Sequence, residues 1–233
     1  MLIIFDLDDT LIDTSVSVTP IKLNDAFFRM MEEGMPIQDI SQSLSILQRI
    51  NAQAESSKSA IAEFLEIHDL DARFLAVGVK AMYEDFSDDI NVSPLPGALE
   101  ILQEFSQMHQ LAVVTGGTES QQRAKMKKAG IDFSFFSKVV VSPDNSKKAH
   151  YQAIVEELGF DPKDVVVCGD RIQRDLTPAK ALGIATIHMR FGRGIYSHGD
   201  TSDVDYSISN LYELQGIIQQ ITELSSSILE KPW

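Results

Sequence analysis

Short apolar runs recur through most of this chain, and nearly every one is followed by a stretch of helical periodicity. The runs are Met1 to Phe5, Leu111 to Val114, Lys138 to Val141, Val165 to Cys168, Ala185 to Met189 and Tyr206 to Ile208. Runs this short, without polar alternation, read as strands buried on both faces. The stretches after them, Ser120 to Ala129, Lys148 to Leu158, Pro178 to Leu182 and Leu211 to Leu224, read as helices. Gly130 and Gly159 sit where two of them should end. Strand and helix in alternation predict an α/β fold, a doubly wound, Rossmann-like parallel sheet with helices on both faces. A tail from Ser225 to Trp233 should fray.

The first run is the exception, because from about Ser15 to Ile90 strand-like runs vanish. Thr19-Pro20 opens a helix with Thr as cap, and Leu23, Phe27 and Met30 form its apolar stripe before Gly34. Ile37, Ile40, Leu44 and Leu47 form a second stripe. Ile61, Phe64 and Ile67 form a third, after the Ser56 to Ser59 cluster, and Phe74, Val77, Ala81 and Met82 a fourth. Four amphipathic helices can bury one another's stripes, so residues 15–90 are expected to be an inserted all-α helical-bundle cap domain, with 1–14 and 91–233 forming the α/β core. The run NVSPLPG, Asn91 to Gly97, ends the insertion with two prolines and a glycine. A helix from Ala98 to Gln107 follows it.

Charge narrows the range of partners. With 34 acidic and 20 basic residues the net charge is −14, which argues against nucleic acid or an anionic membrane as a partner. No apolar stretch approaches the roughly 20 residues that span a bilayer, and no basic segment precedes the first run, so a cytoplasmic location is expected. Cys168 is the single cysteine. It reads as a small strand hydrophobe, and a cysteine zinc cage or internal disulfide is excluded. Oxygen ligands are then the best metal chemistry available.

In a parallel sheet the residues just after each strand meet at one edge. The first strand delivers Asp6, Asp8 and Thr10. The next delivers Thr115, Gly116 and Gly117 ahead of a helix N-terminus, a good anion cradle. Gly169-Asp170 follows Val165 to Cys168, with Asp175 five residues on. Each segment has a bland reading: an acidic turn, an ordinary strand-to-helix turn, two acids opening a helix. Together, though, carboxylates from two strands would repel one another unless a cation lay between them. Lys147 and Lys148 are candidates for a fixed positive charge. Lys22, Lys58 and Lys80 of the insertion read as solvated, and the RFGRG stretch from Arg190 to Gly194 as ordinary loop.

FDLDDT, VVTGG, the Lys147/Lys148 region and GDRIQRD, in this order, resemble the four motifs of the haloacid dehalogenase superfamily, specifically its Mg²⁺-dependent phosphatase branch. The resemblance spans nearly the whole chain, since this family places its helical cap between the first and second motifs. It implies a phosphohydrolase acting on a small phosphorylated metabolite. Asp6 would be nucleophile, forming an aspartyl-phosphate, and Asp8 the general acid and base. Thr115 and the lysine would complete the catalytic set, with Thr10, Gly116 and Gly117 on the substrate. Asp6, the Asp8 carbonyl, Asp170 and Asp175 would serve Mg²⁺, and the cap would close over the site and set substrate choice. The family's lysine is usually followed by proline, whereas NSKKAHY has none. Both lysines therefore stay open, with Lys147 preferred. Asp8 favours phosphoryl transfer over dehalogenation. A phosphotransferase or phosphomutase, or a non-catalytic binding protein on the same fold, would carry similar segments.

Overall fold

The structure, a computed structural model, describes residues 1–83, 90–143 and 146–229. It opens with strand β1 (Leu2–Phe5) and the two-residue β2 (Ile12–Asp13), then runs through helices α1 (Thr19–Glu32), α2 (Ile40–Gln53), α3 (Ser57–Ile67) and α4 (Arg73–Tyr83). A second two-residue strand, β3 (Ser93–Pro94), precedes α5 (Ala98–Phe105), β4 (Gln110–Gly116), α6 (Glu119–Lys128) and β5 (Lys138–Ser142). The remainder is α7 (Lys148–Leu158), β6 (Val165–Gly169), α8 (Thr177–Lys180), β7 (Ala185–Met189), β8 (Tyr206–Ile208) and α9 (Leu214–Leu229). The chain divides into two compact units, Met1–Asp13 with Ser93–Trp233, and Thr14–Val92. Among the described residues no helix is long and apolar enough to cross a membrane.

The first unit is built on a parallel sheet with strand order β5-β4-β1-β6-β7-β8. β1 lies at its centre because all four of its residues are apolar and fully buried, which only a strand covered on both faces can accommodate. Leu2 and Ile4 enter a core with Ala112, Val114, Tyr151, Ile154, Val165, Val167, Leu176 and Ala179. Ile3 and Phe5, one residue out of phase, point to the opposite face. Phe5 pairs with Val113 on one side and Cys168 on the other. The chain steps from β1 outward through β4 to β5, then crosses back to β6 on the other flank. This reversal places a topological switch point at the C-terminal end of β1.

β2 and β3 form a separate antiparallel pair, Ile12 opposite Pro94 and Asp13 opposite Ser93. The NVSPLPG stretch, expected only to break helix, thus supplies a strand. Its proline is tolerated because a two-stranded pair leaves one side of each strand free. Helix α9 runs on to Leu229, so most of the expected tail is helical, and residues 230–233 lie outside the described residues.

In the second unit Leu23, Phe27, Met30, Leu47, Ile61, Phe64, Phe74 and Met82 share one core, with Val77, Ala81 and Leu44 packed against it. Phe27 and Phe64 meet edge to face at 6.0 Å. Gly78 lets α4 come close, since a Cβ there would lie 3.0 Å from the Met30 sulfur. Several expectations shift. Thr19 is the first helical residue and not the cap, which falls at Val18 without a side-chain bond. Asp39 caps α2 by accepting from the Gln42 N–H at 2.9 Å, and this leaves Ile37 before the helix and Ile40 exposed. Ile67 is exposed and Leu65 buried in its place. Lys22 is buried, against the solvated reading, because it falls on the stripe Thr19, Lys22, Leu23, Ala26, Phe27 and Met30. Lys58 and Lys80 are exposed.

Candidate active site

Asp6 is the first residue past β1, and its N–H donates to the Cys168 carbonyl at 2.9 Å, which carries the sheet register one residue into the loop. The next residues curl back tightly: the N–H groups of Leu11 and Ile12 donate to the Leu7 carbonyl at 2.9 and 3.1 Å. Asp9 takes a left-handed conformation, φ +57°, which short polar side chains tolerate better than others. The curl holds Asp6 at the switch point with a buried carboxylate.

Asp170 follows β6 directly. Asp175 reaches the same place because residues Ile172–Leu176 form a π-helical turn, a wider coil than an α-helix and one that recurs at functional sites. Carboxylate oxygens of Asp6, Asp170 and Asp175 lie within 4.8 Å of one another, and all three side chains are buried. Lys147, the residue immediately before α7, sends its ammonium into this cluster, donating to Asp6 Oδ1 at 2.5 Å and Asp175 Oδ1 at 2.6 Å. Lys148, one position on, is exposed. Asp175 uses its second oxygen to accept the Arg171 N–H at 2.8 Å.

The electrostatics follow from this crowding. Burial raises the Asp6 carboxyl from its ordinary 3.8 to about 7; Lys147 pulls it down, and Asp175 and Asp8 push it up. Burial and then the charges of Asp175, Asp6 and Asp9 hold Asp170 well above the carboxylate range. Burial alone would lower Lys147, but Asp175 and Asp6 outweigh it and keep the ammonium charged. Three carboxylates facing one ammonium form a hard, oxygen-only donor set that is net negative when ionised. Its residues fit a hard divalent cation.

Gly169 is required where it stands. A Cβ on it would lie 2.5 Å from the Asp175 Cβ and 2.6 Å from Asp175 Oδ2. Gly169→Ala is therefore expected to push Asp175 off Lys147 and cost about 1–3 kcal/mol of stability, measurable by urea unfolding.

The Asp8 side chain stands outside the cluster. It turns toward α6, where Lys125 Nζ donates to its Oδ1 at 2.7 Å and Gln122 Nε2 to its Oδ2 at 2.8 Å. Gln122 Nε2 also lies 2.6 Å from Thr115 Oγ1, at the end of β4. Gly116 is half-buried and Gly117 exposed, the latter at φ +129° with its N–H donating to the Ser142 carbonyl at 3.0 Å. Thr10 is fully buried, and its hydroxyl has no hydrogen-bond partner among the described residues. It is not brought to the accessible face of the site. Asp144, beside the lysine segment, lies outside the described residues.

Sequence reasoning missed Gln122 and Lys125. A readable signal existed: Gln122 and Met126, four apart, are the buried residues of α6, so an amide occupies the helix's inner stripe. It also passed over the end of β7 and the segment after it. His188, whose ring burial holds below its ordinary pKa, places Nε2 3.1 Å from the Asp170 carbonyl. Residues Gly192–Tyr196 form a tight turn in which Gly194 fits under Asp170; a Cβ there would lie 2.3 Å from the Met189 carbonyl and 3.0 Å from the Asp170 Cβ. Ser197 Oγ accepts the Ile172 N–H at 2.8 Å. What looked like plain loop packs Gly194 against Asp170, and Ser197 just beyond it braces the start of the turn that carries Asp175. Cys168 is buried in β6 and its thiol is pushed up by burial, as a structural cysteine should be.

Known proteins resemble this chain along nearly its whole length. A glyceraldehyde 3-phosphate phosphatase from Methanocaldococcus jannaschii is 28% identical over 228 residues, covering 94% of this chain and 97% of its own. One of the same name from Pyrococcus furiosus is 25% identical, covering 94% and 92%. Among solved structures, a haloacid dehalogenase-like hydrolase from Streptococcus pneumoniae superposes with a TM-score of 0.66 at 20% identity, covering 93% and 97%. A HAD phosphatase from Thermococcus onnurineus gives 0.61 at 22%, covering 93% and 97%; at these identities the likeness is one of fold. The model of the haloacid dehalogenase-like hydrolase family matches residues 3–189, a span that takes in every strand end from Asp6 to Asp175, and the chain belongs to that family of hydrolases.

Proposed function

We propose that this protein is a Mg²⁺-dependent phosphohydrolase that releases inorganic phosphate from a small phosphorylated metabolite. The observation that carries the proposal is the contact between Asp6 and Lys147 inside the buried trio of carboxylates. A carboxylate held there has an anchored oxygen and a second one free to attack, and the ammonium and a divalent cation neutralise the charge an incoming phosphate adds. Mg²⁺ would be held by Asp6, Asp170 and Asp175 with the Asp8 carbonyl; when bound it offsets the repulsion between anionic nucleophile and anionic substrate.

Asp6 attacks phosphorus, the bond from phosphorus to the ester oxygen breaks, and protonated Asp8 gives that oxygen its proton. Water then attacks the aspartyl-phosphate while Asp8 takes a proton back, freeing Asp6 and inorganic phosphate. Thr115, Gly116, Gly117 and Lys147 would hold the phosphoryl oxygens. A cytoplasmic setting, where phosphorylated metabolites and free Mg²⁺ coexist, suits this reaction. The names of the relatives make a three-carbon sugar phosphate the first substrate to test.

The expected result is phosphate release from glyceraldehyde 3-phosphate or another short alkyl phosphate with Mg²⁺, lost in EDTA and restored by added Mg²⁺. Release that is indifferent to EDTA, or none from a panel of small phosphate esters, would overturn the proposal.

A further inference from the structure

Both carboxylate oxygens of Asp8 are engaged by one helix. Lys125 and Gln122 stand three residues apart on α6, so they project from the same face and reach Asp8 as a pair, one ammonium and one amide. Two other basic side chains of α6 are placed differently. Arg123 pairs with Glu119 on the exposed side, and Lys127 is exposed. Gln122 is buried, and its single amide nitrogen has two hydrogens, one directed at Asp8 and the other at Thr115. Bonded to a common nitrogen, the Asp8 carboxylate and the Thr115 hydroxyl must be close neighbours.

We propose that Lys125 and Gln122 are positioning residues for Asp8. They fix its side-chain conformation so that the acid stands beside the hydroxyl that holds a phosphoryl oxygen, where the leaving group departs. The inference rests on Asp8 being the acid–base group. An aspartate on a tightly curled loop has two free torsions, and proton transfer in the transition state tolerates little error in either. A misplacement of about 1 Å can cost about 100-fold. An ordinary structural ion pair at the same place would affect stability and leave the chemistry of the leaving group untouched.

The two roles separate on leaving groups. An alkoxide needs the proton from Asp8, whereas p-nitrophenolate departs without it. The measure is kcat/KM, which reports steps up to formation of the aspartyl-phosphate and not the later attack by water. For Lys125→Met, kcat/KM on glycerol phosphate should fall about 30-fold and on p-nitrophenyl phosphate no more than about threefold, with the loss in kcat rather than KM. Lys125→Arg should recover part of the loss on the alkyl ester. Adding Lys125→Met to Asp8→Asn should cost nothing further, because both remove one function. Equal losses on the two esters, or losses that multiply in the double variant, would overturn the inference. If Lys125→Met does not fold, Lys125→Gln and Lys125→Arg carry the same comparison. A wild-type protein inactive on both esters, or an Asp8→Asn variant that spares glycerol phosphate, would show instead that the acid–base reading has failed, and the positioning role falls with it.

Discussion

Asp6→Asn should be inactive and, without metal at pH 8, harder to unfold than the wild type. The carboxyl of Asp6 is raised from 3.8 to about 7, first by burial and then by Asp175 and Asp8. A group whose folded pKa is raised contributes stability that is fully present below its unfolded pKa and lost as pH rises through the folded one. For Asp6 that window runs from about pH 4 to about 7, so at pH 8 the metal-free protein carries the whole cost of an ionised, buried carboxylate. Asn removes the charge, and Lys147 keeps Asp175 as partner. In EDTA at pH 8 the variant should gain on the order of 1–3 kcal/mol, a Tm several degrees higher; the gap should narrow at pH 5, close below about pH 4, and reverse when Mg²⁺ stabilises the wild type. Phosphate release should fall by at least about 10⁴-fold, as for loss of a covalent nucleophile. A lower Tm for Asp6→Asn in EDTA at pH 8 would refute the electrostatic account. Activity surviving in the variant would refute the nucleophile assignment.

Lys147→Met should do the opposite to stability. Lys147 is the ammonium between Asp6 and Asp175, and its own side chain is buried. Removing one partner of a buried ion pair costs about 3–5 kcal/mol, because the charges left behind can neither reach water nor find another cation. Protonation relieves part of that cost, so the deficit should be larger at pH 8 than at pH 5, and urea unfolding at the two values reads it directly. Activity should drop about 1000-fold, since the same ammonium would neutralise the phosphoryl group. Lys148→Met is the control. Its side chain is exposed, and its stability should stay within about 0.5 kcal/mol of wild type. Comparable losses in the two variants would mean that the wrong lysine has been placed in the site.

The sheet was legible because its strands are written in a simple code. Ala185–Met189 and Tyr206–Ile208 are strands with the expected limits, and Lys148–Leu158 is the expected helix. Apolar runs covered on both faces leave little room for another reading. The ends of the strands were equally informative, since a parallel sheet collects them at one edge whatever the details. Less was readable where a residue's role depends on its neighbours in space. The π-helical turn that carries Asp175 inward has no distinct sequence pattern, and the two-residue strands Ile12–Asp13 and Ser93–Pro94 are too short for any periodicity. Lys125 looks like one more surface lysine until the fold brings α6 against Asp8. Lys22 deceived in the other direction, as a cation on a stripe otherwise made of small and apolar groups. Spacing cannot distinguish Lys147 from Lys148; the start of α7 turns one inward and leaves the other in solvent.

The short pair formed by Ile12–Asp13 and Ser93–Pro94 has a consequence for how the molecule can change. Because these strands lie side by side, the chain exits the sheet unit and re-enters it through a single doorway. To that unit the whole of Thr14–Val92 is one long closed loop, and each doubling or halving of such a loop alters the entropy of closing it by only about 0.6 kcal/mol. The intervening stretch is thus a replaceable cassette, open to enlargement, shortening or exchange for a different set of helices, while the acids on the strand ends keep their places.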